Sequence, residues 1–117
     1  MRRVAVTALL ALAACSNADA APDQGTVRTC FNTIGVKEPD ADTLGSVQGW
    51  VNVAEQAVAE AKHEQVRTAG EALKAALSPQ VQADGFDPEE VERYAMAVAR
   101  MQKACKDSNA FKGNPRA

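Results

Sequence analysis

Residues 44–77 read LGSVQGWVNVAEQAVAEAKHEQVRTAGEALKAAL, and the spacing of their apolar residues decides the fold. Leu44, Val47, Val51, Ala54, Val58, Ala61, Val66, Ala69, Leu73 and Leu77 recur at steps of three to five positions. Such steps keep side chains on one face of a helix, whereas a half-buried strand alternates with period two. Unbroken, the stripe would run about 50 Å. The polar run Lys62-His63-Glu64-Gln65 is where a bend is expected. Gly45 and Gly49 weaken the first turns, and several residues between Asp40 and Ser46 can cap the start. Trp50 adjoins the stripe one turn after Val47, so it is expected to be partly buried.

On the N-terminal side, Val27, Cys30, Phe31 and Ile34 stand at i, i+3, i+4 and i+7, which predicts a short helix over residues 26–34. Gly35 follows at a position that wants a left-handed backbone, with Phe31 and Val36 spaced for the apolar contact of a Schellman motif. Pro39 prevents continuation. On the C-terminal side, Ser78-Pro79 combines a cap with proline at the first helical position, which predicts a separate turn over residues 78–84 closed by Gly85. Asp87-Pro88-Glu89-Glu90 is the clearest helix start, with Phe86 and Val91 placed as a hydrophobic staple. Val91, Tyr94 with Ala95, Val98, Met101 and Cys105 then line one face, and Gly113 and Pro115 close the helix.

The chain has 117 residues, room for one domain. The expected fold is all-α: a small disulfide-stapled bundle of three main helices, a long antiparallel hairpin plus the short N-terminal helix. A single domain is expected over residues 26–112, with a tail at 113–117. Only five positions are aromatic, and a net charge of −2 gives no electrostatic ground for nucleic-acid binding. A monomer is expected.

Residues 1–25 read differently. Arg2 and Arg3 precede an apolar run from Val4 to Ala14, the layout of a secretory signal peptide. As a helix that run spans about 16 Å, well short of the roughly 30 Å of a bilayer core. Leu12-Ala13-Ala14-Cys15 resembles the lipobox of bacterial lipoproteins. The resemblance covers the leader alone and implies removal of residues 1–14, acylation of Cys15 with fatty chains such as palmitate, and a tether over residues 15–25. It further implies a lipid-anchored protein facing outside the cytoplasm. The alternative is Ala18-Asp19-Ala20, an A-x-A site that would release a soluble secreted protein beginning at Ala21.

Either cut leaves Cys30 and Cys105 as an even pair in an oxidising compartment, where a disulfide is expected. Bridging these positions closes most of the domain into one loop, worth about 4 kcal/mol in the chain-entropy model. Both cysteines fall on apolar stripes, as a helix-to-helix bond requires.

Few residues are left for catalysis, and no catalytic residue, metal ligand or cofactor is assigned. Glu60-Ala61-Lys62-His63 spells the E-x-x-H spacing of di-iron bundles, but such a site needs the motif twice and the chain has one His. Haem ligation would fall to His63 with Met96 or Met101, and Met101 sits on the core stripe. There is no G-x-S-x-G and no paired C-x-x-C. Charge placement says more. Arg93, Arg100, Lys103, Lys106, Lys112 and Arg116 face a single acid, Asp107, whereas residues 16–92 are strongly acidic. Cations suit a helix C-terminus. They also suit anionic headgroups, and a Cys30–Cys105 bond would hold Arg100, Lys103, Lys106 and Lys112 near a lipid on Cys15. The functional expectation is therefore a non-enzymatic interaction module of the cell envelope with an unidentified protein partner. A carrier of haem, metal or lipid in an apolar slot between alanine-rich helices is the alternative.

Overall fold

The described residues hold four helices and one 3₁₀ turn, with no strand among them. The structure is a computed structural model and describes residues 22–40, 43–77 and 88–113. The leader with Cys15 and the Ala20 site, the turn expected at 78–84, the cap and staple residues Phe86 and Asp87, and the tail beyond Gly113 lie outside them.

Helix α1 (Gln24–Phe31) begins two residues earlier than its apolar pattern indicates, because Asp23 caps it. Asp23 Oδ2 accepts the Thr26 N–H at 3.0 Å and Oδ1 accepts the Thr26 hydroxyl at 2.7 Å. Val27 and Cys30 are buried as expected. Ile34 is not: it is 62% exposed. The helix has ended at Phe31, and Thr33 and Ile34 donate to Cys30 and Phe31 three residues back. Those tighter turns rotate Ile34 off the buried face. Gly35 takes the left-handed backbone that was expected, at φ 85°.

The stripe of residues 44–77 is divided, and more sharply than a bend. Helix α2 (Val47–Glu60) starts on Ser46, whose Oγ accepts the Gly49 N–H at 3.2 Å. Helix α3 (Glu64–Ala76) follows after three residues. Ala61 and His63 are both extended, which reverses the chain and lays α3 back along α2. A continuous 50 Å rod therefore does not form. Folding back lets the two small-residue faces meet, and a Cβ built on Gly70 would collide with that of Ala57. The reversal frees backbone donors that α1 satisfies. Lys62 N–H donates to Asp23 Oδ2 at 3.1 Å and His63 N–H to Thr26 Oγ1 at 3.1 Å.

On α2 the buried face is Trp50, Val53, Ala54 and Ala57, turned about one residue from the expected path through Val51 and Val58. Val47 and Val51 pack at its edge. On α3 the buried Val66, Ala69, Leu73 and the following Leu77 match expectation. Helix α4 (Pro88–Asp107) starts at the expected proline and buries Tyr94, Val98, Met101 and Cys105. It stops short of Gly113: Asn109 turns left-handed at φ 63°, and a 3₁₀ turn, η1 (Ala110–Lys112), follows. Ser108 Oγ donates to the Cys105 carbonyl and accepts the Ala110 N–H, fixing the corner.

α3 packs against both α2 and α4 and runs antiparallel to each. Residues 30–40 and 43–44 lie along α4 in the opposite direction and are tied to it three times. The ties are the Cys30–Cys105 disulfide, Gln102 Nε2 donating to Glu38 at 2.6 Å, and Tyr94 donating to the Leu44 carbonyl at 2.8 Å. The result is an all-α, disulfide-stapled bundle.

Candidate functional site

One end of the bundle gathers most of the residues singled out by the sequence. The start of α1, the α2–α3 reversal, the last turns of α4 and η1 all meet there. Cys30 and Cys105, 75 positions apart in sequence, are both fully buried and bonded, with Cα atoms 5.5 Å apart. Arg100, Lys103, Lys106 and Lys112 are all exposed on the C-terminal half of α4 and on η1. Lys103 pairs with Asp107 at 2.7 Å. Lys106 and Lys112, and Lys62 on the reversal, have no ion-pair partner among the described residues.

Asp23 ties the chain's entry point to this end. Burial alone would raise its pKa, but hydrogen bonds from the Thr26 hydroxyl, the Thr26 N–H and the Lys62 N–H outweigh that and hold the carboxyl below its ordinary 3.8. Gly25 lets α1 approach closely, since a Cβ there would collide with the Glu60 carbonyl. Arg28 reaches Glu60 across the same contact at 3.2 Å. Asp23 and Gly25 fall in the stretch expected to be a tether, and the structure places both in the fold. The readable signal was Asp23 standing three positions before Thr26, a capping arrangement set among small polar residues.

The candidate chemical motifs are dispersed. Glu60 ends α2 and His63 precedes α3, so the E-x-x-H pair does not share a helix face. Glu60 is engaged with Arg28, and His63 Nδ1 is shielded from solvent without a hydrogen-bond partner. Met101 is buried beside Gly70, while Met96 is 66% exposed on α4. Among the described residues no group of three His, Cys, Asp or Glu side chains could hold a metal ion. A groove of about 500 Å³ runs between α3 and α4, lined by Glu64, Gln65 and Thr68 on one wall and Arg100, Lys103, Ala104 and Asp107 on the other. Its charged lining differs from the apolar slot that the carrier reading calls for. No helix among the described residues is long and apolar enough to cross a membrane.

The two large polar aromatics serve the frame. Trp50 is fully buried and donates Nε1–H to the Lys37 carbonyl at 3.0 Å. Burial pushes the Tyr94 phenol up to about 12. The bundle and its charged end thus define a small helical, disulfide-stapled domain. Comparison with family models, with curated proteins and with solved structures finds no match to the chain.

Proposed function

We propose that the chain is an exported lipoprotein, anchored through acylated Cys15, whose helical domain is a non-enzymatic interaction module held at the outer surface of a cell membrane. The observation that carries this reading is the meeting of two things at one end of the bundle: the point where the chain enters the fold and the exposed basic residues of α4 and η1. From Cys15 to Pro22 the link reaches at most about 25 Å. A domain on so short a link stays near the headgroups, where each Lys or Arg close to the surface contributes about 1 kcal/mol. The first turn of α4, with Glu89 and Glu90, lies one 20-residue helix away. That is about 30 Å, several Debye lengths at physiological salt, so its repulsion is screened. The domain would therefore stand basic end down and offer its acidic end to a protein partner.

Intact mass of the protein taken from its native membrane, with and without reductant, tests the reading. The expected species begins at Cys15, carries acyl chains and gains two hydrogens on reduction. A mass that begins at Ala21 without lipid overturns the anchor in favour of the secreted alternative. Charge reversal of Lys103 and Lys106 tests the pose, and is expected to weaken contact with anionic vesicles.

A further inference from the structure

Three large apolar side chains are conspicuously exposed among the described residues: Ile34, Met96 and Phe111. Scattered singly, such residues carry no message. Two of the three, however, lie next to the same half-buried residue, Phe31, one through its ring and the other through its backbone. Phe31 and Phe111 meet edge to face with centroids 5.8 Å apart, and Ile34 stands one tight turn beyond Phe31, its N–H on the Phe31 carbonyl. Phe111 remains 41% exposed after that contact, and Ile34 62%. Lys112 adjoins Phe111 in η1, and Lys106 adjoins the buried Cys105 that is bonded to Cys30. Exposed aromatic and aliphatic side chains bordered by free lysines form the pattern of a surface that enters a headgroup layer while its cations stay with the phosphates.

We infer that Ile34 and Phe111 insert into the interface of an anionic lipid bilayer, with Lys106 and Lys112 on the headgroups. The occupant is lipid because two observations converge on it. The corner is rich in unpaired cations, and the chain enters the fold at the same end, within about 25 Å of Cys15. The inference rests on the lipid-anchored reading for its setting, but the surface can be tested without it. Truncating Phe111 removes apolar contact that is expected to be worth about tenfold in partition. Removing Lys112 is expected to cost about fivefold.

The test uses Ile34→Trp, Phe111→Trp and Met96→Trp in the full protein, mixed with phosphatidylcholine–phosphatidylglycerol vesicles that carry spin-labelled acyl chains. Far-UV circular dichroism confirms folding of each variant. The wild type reports only on Trp50, which is fully buried, and is expected to be unquenched. Met96→Trp, exposed nearer the start of α4 and away from Lys106, is expected to match it. Ile34→Trp and Phe111→Trp are expected to lose about half their added emission, as side chains at the headgroup–acyl boundary do. Absence of that quenching in protein that floats with the vesicles overturns the inference, as does equal quenching of Met96→Trp. A self-association that buries these two residues without lipid also overturns it. If the intact mass shows no acyl chain, the anchor reading falls alone, because quenching of unacylated protein by added anionic vesicles still decides the surface.

Discussion

Asp23 shows how one carboxylate joins elements far apart in sequence. It caps α1, holds the Thr26 hydroxyl that in turn accepts the His63 N–H, and accepts the Lys62 N–H. Removing it leaves three donors without their acceptor. Asp23→Ala is expected to lower stability by about 1–2 kcal/mol near neutral pH. The effect depends on charge. Asp23 has a folded pKa below its ordinary 3.8, so the carboxylate's contribution is present above that value and lost as pH falls through the folded one. Urea midpoints measured for wild type and variant should therefore converge as pH drops from about 5 toward 2. A gap that persists undiminished in acid would mean that cap geometry alone, without ionisation, sets the contribution.

At the scale of elements, the division of residues 44–77 turns on small residues. Gly70 on α3 faces Ala57 on α2 so closely that a methyl group there must push the helices apart. Overpacking costs about 1–3 kcal/mol, while replacing a mid-helix glycine returns about 1. Gly70→Ala is therefore expected to be net destabilising in thermal melts, although the same change is favourable in an isolated helix. Ala57→Gly should relieve part of the loss, so the double variant is expected to be less destabilised than the two single effects added. Strict additivity would show that these two helices do not meet through this pair. The same segment marks where reading the sequence succeeds and stops. Helical periodicity, Pro88 as a start and the burial of Cys30, Val66, Leu73, Val98 and Met101 are visible because apolar spacing and capping are local signals. The reversal at Ala61–His63 is not visible as a full turn. It has no Gly or Pro, and its freed donors are satisfied by Asp23 and Thr26, nearly forty positions away. The rotated face of α2 escaped for a related reason. Val51 and Val58 are more hydrophobic than Ala57, but only a small side chain admits Gly70. Ile34 and Phe111 are not legible as one surface because Phe111 reaches their shared neighbour Phe31 only through the disulfide and η1, which the spacing of either residue does not encode.

For the whole molecule, the disulfide decides whether α1 belongs to the bundle. α1 has eight residues, too few to persist alone in water. Beyond the bond, α1 is held by the hydrogen bonds of Asp23 and Thr26 to the Lys62 and His63 N–H groups and by a few weaker contacts. Arg28–Glu60 is an exposed pair worth at most about 1 kcal/mol, and Val27 lies close to the backbone of Gly113. Closing a loop across 75 positions contributes about 4 kcal/mol in the chain-entropy model. For a domain whose total stability lies in the range of about 5–15 kcal/mol, that is a large share. The hairpin of α2 and α3 and its packing on α4 do not pass through either cysteine, so the loss should be uneven. In Cys30→Ser/Cys105→Ser, hydrogen exchange is expected to deprotect the amides of α1 and η1 first, while those around Ala57, Ala69 and Val98 exchange only with global unfolding. The Phe31–Phe111 contact bridges the same two elements and should loosen with them. Uniform acceleration across all helices would instead mean that α1 is an integral layer of the core, and that the bond merely shifts the stability of a single cooperative unit.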